Sequence, residues 1–211
     1  MKAAKVLILG AGGHGRVLLE ALRSRKMSCA FLDADPSLRA KTVDGAKVEG
    51  GDDLLTTLSP KRVALANGVG AAADVSARRA VYERARTKGF RFPPVVAASA
   101  CVSPRAELDD GAQVLTRAVV HPGAKIGLNA VINTGAIVEH DASVGAHSFV
   151  GPAAVLLGGV RVGDSVFIGA GAVILPGIEI GDRALIAAGS IVTRAVAAGR
   201  RVAGAPARPL R

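Results

Sequence analysis

From residue 96 the chain sets an aliphatic side chain at every sixth position: Val96, Val102, Leu108, Val114, Val120, Ile126, Ile132, Val138, Val144, Val150, Leu156, Val162, Ile168, Ile174, Ile180, Ile186 and Val192. The series has no gap and no insertion. Two residues before each member from Val102 onward stands Ala or Ser, except at Val160, Val166 and Ile178. A period of six does not fit an amphipathic helix, which repeats every 3.6 residues. It fits a solenoid of very short strands in which two residues per unit point inward and four turn away. The large aliphatic fills the interior, and the small residue sits where the corner is tight. Gly often follows the aliphatic, as at Gly127, Gly145, Gly151, Gly163, Gly169 and Gly181. Glycine there permits corner conformations that a side chain forbids.

Residues 1–92 follow a different pattern. Lys5–Leu9 is a short aliphatic run that predicts a strand. Gly10-Ala-Gly12-Gly13-His14-Gly15 follows, then a helical stretch over Arg16–Lys26 with Val17, Leu18 and Leu22 near one face. Ser28–Leu32 predicts a second strand, ending at Asp33. Strand, glycine turn, helix and strand, with an acid 23 positions after the first glycine, match the dinucleotide-binding fingerprint. Glycines let a phosphate approach the backbone, and a helix N-terminus offers free N–H donors. A tight turn without a ligand would use the same residues. Beyond Asp33 the pattern predicts a loop through Gly45, then a short helix opened by Gly50-Gly51-Asp52-Asp53. A strand is predicted over Val63–Ala66, running into Asn67-Gly68-Val69-Gly70, and a helix over Ala77–Lys88 with Arg78 and Arg79 near its start. Phe90-Arg-Phe-Pro-Pro94 joins this unit to the repeat. The segment is about the size of one mononucleotide-binding half rather than two, which argues against an NAD-linked oxidoreductase. The expected organisation is an α/β Rossmann-like unit over 1–92, the repeat over 93–193, and a basic tail over 194–211.

Composition narrows the function. Five Phe, one Tyr and no Trp leave little for base stacking, so a stacking nucleic-acid module is not expected. The balance of 27 Lys+Arg against 17 Asp+Glu gives a net charge of +10. That suits an anionic ligand as well as a basic soluble surface. Cys29 and Cys101 form neither a metal-ligand spacing nor a disulfide framework, as in a reducing compartment. No metal is expected. Val6–Leu9 is too short for a signal-peptide core. The longest uncharged stretches, such as that from Ser165 to Glu179, are shorter than the ~18 apolar residues of a membrane span. A cytoplasmic protein without a membrane partner is expected.

Taken together, Gly10–Gly15, Phe31-Leu-Asp33-Ala-Asp35, Asn67–Gly70, Asn133-Thr-Gly-Ala-Ile-Val-Glu-His140-Asp141 and the ending Gly204-Ala-Pro-Ala-Arg208 resemble one family over essentially the whole chain. It is the hexapeptide-repeat nucleotide-sugar acetyltransferases grouped with sialic acid O-acetyltransferases, including the N-acetyltransferases of bacillosamine and perosamine synthesis. The resemblance implies an all-β left-handed parallel β-helix of triangular section, three hexapeptides per coil, in a homotrimer. It implies acetyl-CoA as co-substrate and a nucleotide-linked amino sugar as acceptor. His140 would be the general base, assisted by Asp141. Gly12, Gly13, His14, Asp33, Asp35, Gly68 and Gly70 would contact the nucleotide sugar. Phe149, Gly158, Ala170 and Ala188 would contact the cofactor, the last two chiefly through backbone. The family usually carries His where this chain has Phe149, and here a His stands at 147 instead. The position after Asp33, often a second acid in the family, is Ala34.

The residues themselves leave several roles open. His140, two after Val138, is expected at an outward corner. His121 is expected at the surface or an interface. His147 reads either as a surface residue or as a cofactor neighbour. Arg194, Arg200, Arg201, Arg208 and Arg211 either meet the cofactor's phosphates or form a solvated tail. Rivals to N-acetylation are O-acetylation of a sialic-acid-type sugar, a non-catalytic nucleotide-sugar-binding protein and a purely structural solenoid.

Overall fold

The computed structural model describes residues 5–210. Its first part is a five-stranded sheet of β1 (Lys5–Leu9), β2 (Cys29–Leu32), β3 (Thr42–Val43), β4 (Ala46–Gly50) and β5 (Val63–Asn67), in the order β3-β4-β2-β1-β5. β1 lies parallel to both β2 and β5. The helices α1 (Gly13–Ser24) and α2 (Ser76–Thr87) complete this unit. α1 starts three residues earlier and ends two earlier than the apolar pattern predicts, because the glycine turn already enters the helix. The predicted loop after Asp33 in fact holds a 3-10 turn, Pro36–Leu38, and the antiparallel hairpin β3–β4. β4 buries Ala46, Val48 and Gly50 and exposes the residues between them.

The chain leaves β1 toward β2 on one side and later returns to β5 on the other. Order reversal of this kind opens a crevice at the carboxyl ends of the two strands. The Gly10 turn and the Asn67–Gly70 turn sit at those ends. Phe90 and Phe92, in the join, are fully buried and close the bottom of the α/β core.

The second part is a three-sided prism. Each strand is two residues long and pairs in parallel with the strand 18 residues away, as Val119 does with Ile137. One coil is therefore three hexapeptides. Face 1 runs from Val95–Val96 through Gln113–Val114, Val131–Ile132, Phe149–Val150 and Phe167–Ile168 to Leu185–Ile186. Face 2 runs from Cys101–Val102 to Ile191–Val192, and face 3 from Glu107–Leu108 to Glu179–Ile180. The second residue of each pair points inward, and from Val114 to Val192 these side chains are buried with the preceding Ala and Ser positions.

The outward residues decide what each face meets. Face 1 is covered by the α/β unit: Val95, Leu115, Val131 and Phe149 share one core with Val6, Leu18 and Phe31. Face 3 shows Glu107, Lys125, Ser143, Arg161 and Glu179 to solvent. Face 2 shows Cys101, Val119, Ile137, Val155, Val173 and Ile191, an apolar stripe that the described residues leave half-buried to exposed. The described residues after 193 fold back onto the prism; Arg211 lies outside them. Val196 bridges to Ile180, and Arg201–Ala203 joins face 1 and pairs with Arg208–Pro209.

Candidate active-site elements

The corner between faces 2 and 3 carries His140 and Asp141. Asp141 adopts a left-handed backbone conformation, φ 59°, which Asp tolerates better than most residues. This turns its carboxylate back on the preceding ring, and His140 Nδ1 stands 2.9 Å from Asp141 Oδ2. A carboxylate accepts only, so Nδ1 carries the proton and Nε2 keeps its lone pair. The Asp141 hydrogen bond, then the charges of Asp141 and Glu139, raise the His140 pKa above its ordinary value. Two glycines on adjacent coils frame the pair. A Cβ on Gly123 would collide with the Asp141 carboxylate, and one on Gly158 would stand 2.7 Å from His140 Nε2. His121, one coil below, lies 3.7 Å from Glu139 Oε1.

The crevice at the ends of β1 and β5 is lined by Gly10, Gly12, Gly13, His14 and Gly68 through Ala72, with Asp74 at its rim. Its glycines have different causes. Gly10 has φ 101°, and a Cβ on Gly15 would run into the Gly10 carbonyl. Gly68 packs against the Gly10 carbonyl, Leu9 O and the Ile8 side chain. Those three are fixed by the fold. Gly12 and Gly13 have negative φ and no atom within 4 Å of an added Cβ, so the chain's own packing does not require glycine there. Gly12 is the N-cap of α1 and supplies no side-chain cap, so the helix's first N–H groups stay unpaired. Asp33 braces the turn: Oδ2 accepts from Ala11 N–H at 2.6 Å and Oδ1 from Asp35 N–H at 2.8 Å. Asp35 lies outside the crevice and caps the 3-10 turn through Ser37 N–H at 2.8 Å. That bond holds its carboxyl below the usual range.

His14 is half-buried under Gly70, with Nε2 2.8 Å from Gln113 Oε1. Burial, then the nearby Arg78 guanidinium, push its pKa down to about 4. His14 is therefore neutral near pH 7.

The remaining positions lie elsewhere on the prism. Ala170 and Ala188 are exposed and stacked one coil apart at the corner between faces 1 and 2. Among the described residues neither N–H is used within the chain, whereas those of Gly171 and Gly189 are. Phe149 is only 5 % exposed. Its ring stacks on Phe167 at 5.6 Å and lies 6.2 Å from His14, inside the contact between the α/β unit and face 1. His147, read from the sequence as surface or cofactor neighbour, is not a surface residue. It is buried in the same contact because its corner adjoins face 1, where α2 docks. Its Nδ1 lies 3.1 Å from Asn129 Nδ2, and its ring meets Tyr82 edge-on at 5.5 Å.

Three groups thus form: His140, Asp141 and Gly158; the Gly12 crevice; and Ala170 with Ala188. Within one chain they do not meet, since the His140 corner is opposite the face that carries the α/β unit. Arg78, Gln113 and Asn129 join the crevice to the prism and are not evident from sequence. Arg78 and Gln113 are polar residues at positions where the local pattern gives no reason to expect burial.

Comparison with known proteins follows the same division. Residues 5–85 match the family model described as the PglD N-terminal domain. Residues 159–194 match the bacterial transferase hexapeptide, and 135–175 the hexapeptide repeat of succinyl-transferase. The chain is 32 % identical to the acetyltransferase domain of PglB from Neisseria gonorrhoeae, solved in complex with acetyl coenzyme A. The match covers 98 % of this chain and 99 % of that one, with a TM-score of 0.91. It is 35 % identical to PerB from Caulobacter crescentus, solved in complex with CoA and GDP-perosamine, over 98 % and 97 % of the two chains, TM-score 0.90. WeeI from Acinetobacter baumannii shares the fold at 23 % identity and TM-score 0.79. No curated protein matches the chain by sequence.

Proposed function

The chain belongs to the nucleotide-sugar acetyltransferases built on a left-handed hexapeptide β-helix, and from that premise we propose the reaction its residues carry out. It is an acetyl-CoA-dependent sugar acetyltransferase. Its acceptor is the amino group of a nucleotide-linked 4-amino-4,6-dideoxy sugar of the bacillosamine or perosamine type, with His140 as base. The observation that carries this reading is the His140–Asp141 pair at an exposed corner, with Nδ1 on the carboxylate and Nε2 of the neutral ring left with its lone pair beside Gly158.

The chemistry follows from that pair. The sugar amine attacks the thioester carbonyl, and a C–N bond forms. His140 Nε2 takes the amine's proton as the bond forms. The tetrahedral intermediate then expels the CoA thiolate, breaking the C–S bond, and the imidazolium returns the proton to sulfur. The thioester is already activated, so no Ser or Cys nucleophile is required. The free N–H groups of Ala170 and Ala188 suit the carbonyls of an extended CoA arm. Acetyl-CoA supplies the acyl group, and the prism corners hold and orient it.

Because the three groups are apart in one chain, the reading places the active site between copies. Face 2 separates the His140 corner from the Ala170 corner. Packing that apolar stripe around a threefold axis brings one chain's His140 corner to the next chain's Ala170 corner, and toward its Gly12 crevice. Val155 lies mid-stripe, and a carboxylate buried there would lack a partner. Val155→Asp is expected to give monomers by light scattering and to abolish transfer. An active monomer would contradict the intersubunit site.

The Gly12 crevice is assigned to the nucleotide sugar. Gly12 is free of packing constraint but is the N-cap of α1, where Val is poorer than Gly, so Gly12→Val is expected to stay folded with a melting temperature lower by only a few degrees. It blocks backbone approach and should raise KM for the nucleotide sugar by about tenfold or more, the loss of one or two hydrogen bonds. KM for acetyl-CoA should stay within twofold. Loss of acetyl-CoA affinity with nucleotide-sugar affinity intact would reverse the assignment.

A further inference from the structure

Arg78 is fully buried, the third residue of α2, and lies beneath the crevice. Among the described residues it has no carboxylate partner. Nη1 donates to Asn67 O at 2.9 Å and Val69 O at 2.8 Å. Nη2 donates to Asn129 Oδ1 at 3.1 Å, and Asn129 O lies 3.3 Å from Nη2 and 3.4 Å from Nε. His14 Nε2 is 3.4 Å from Nη1. Carbonyl dipoles alone therefore hold a full positive charge out of water, an arrangement that costs stability unless something else uses it. Burial brings its pKa down to about 9, so it remains charged at neutral pH.

The guanidinium also fixes the crevice floor. It draws the carbonyls of Asn67 and Val69 inward. In a trans peptide C=O and N–H point in opposite directions, so Gly70 N–H faces away from Arg78, on the crevice side. Among the described residues nothing in the chain accepts from it. Gln113 Nε2 donates to Asn67 O at 2.9 Å, which leaves Gln113 Oε1 to accept from His14 Nε2. The imidazole is thereby set as the Nε2–H tautomer. Among the described residues lining the crevice the one carboxylate, Asp74 at its rim, is occupied by Ser76 N and Oγ, both at 2.8 Å.

We propose that Arg78 is a positioning residue for the nucleotide diphosphate. It does not touch the substrate. Its unpaired buried charge lies below the crevice and attracts the anion, while its bonds hold the 67–70 turn with the Gly70 N–H toward the crevice; Gly68 N–H and Val69 N–H are spent inside the chain, on Leu9 O and Asn67 Oδ1. Charge in a poorly solvated interior acts over such a distance more strongly than at the surface.

The proposal rests on the crevice being the nucleotide-sugar site, and calorimetry of the full chain with UDP, GDP and CoA at pH 8 separates the two ideas. Asn129→Asp is the main variant. It is isosteric, it tolerates the left-handed backbone at 129 (φ 55°), and it gives Arg78 the carboxylate it lacks. His147 can meet the new carboxylate by moving its proton to Nδ1. The expected result is an equal or higher melting temperature with nucleoside-diphosphate affinity lowered about tenfold and CoA affinity within twofold. Arg78→Gln should lower the same affinity at least as much, and Arg78→Lys should restore most of it. A folded Asn129→Asp protein with wild-type UDP and GDP affinity overturns the proposal, as does equal weakening of CoA. If the wild type binds neither nucleotide, the reading of the crevice itself fails, and the proposal with it.

Discussion

His140→Ala is expected to lower kcat by about 10²–10⁴-fold, the usual contribution of a positioned general base. Folding and acetyl-CoA binding should be nearly unchanged, because the ring is exposed and makes its hydrogen bond only to Asp141. The pH profile provides a sharper test. A base works when neutral, and the Asp141 bond raises the imidazole's pKa. Activity should therefore fall on the acid side, with its midpoint above the ordinary histidine value of 6.5. Asp141→Asn removes both the bond to a carboxylate and its charge. The acid limb should then move to lower pH, with a smaller loss of kcat than in His140→Ala. A His140→Ala enzyme with near-normal turnover would place the base elsewhere.

The second large effect comes from a single methyl group. Gly158 lies one coil above His140, and its missing side chain is what leaves room for the ring. A Cβ there would stand 2.7 Å from Nε2 and 2.8 Å from Cε1. Gly158 does not have positive φ, so alanine fits the backbone. The imidazole, at an open corner, can swing away at little cost to the fold. Gly158→Ala should thus keep the wild-type melting temperature while kcat falls about 10²-fold, the scale expected for a misplaced reacting group. The KM for nucleotide sugar should hardly move. An unchanged kcat would mean that the ring's position over Gly158 is not the reacting one. The resemblance assigns Gly158 to cofactor contact, and its packing against Nε2 adds a role that the motif does not express.

The solenoid was legible because every coil imposes the same demand. The interior needs one large and one small side chain per edge, so the period survives in all seventeen units. The strands of the α/β unit were legible for a related reason, each being a short aliphatic run closed by glycine or acid. The β3–β4 hairpin was not, since Ala46, Val48 and Gly50 make a weak alternation beside a turn at Asp44 and Gly45. The larger gap concerns which prism face is covered. Periodicity says that Gln113, Phe149 and His147 turn outward from the solenoid, and it cannot say that another part of the chain waits there. The burial of Phe149 and His147 against the α/β unit was therefore not legible. Arg78 was hidden for the converse reason: a charged residue on a polar helix ordinarily faces water. The His140–Asp141 pair was legible as a motif. Its geometry was not, because it depends on a left-handed turn at Asp141 and on bare glycines one coil below and one above.

The most direct test of the whole account is mass spectrometry of products from the purified protein, acetyl-CoA and a panel of UDP-, GDP- and dTDP-linked 4-amino-4,6-dideoxy sugars. The account predicts one nucleotide sugar heavier by a single acetyl group on its amino nitrogen, with free CoA released in equal amount and no product from His140→Ala. Acetylation of a hydroxyl in place of the amine, or no transfer to any member of the panel, would contradict it.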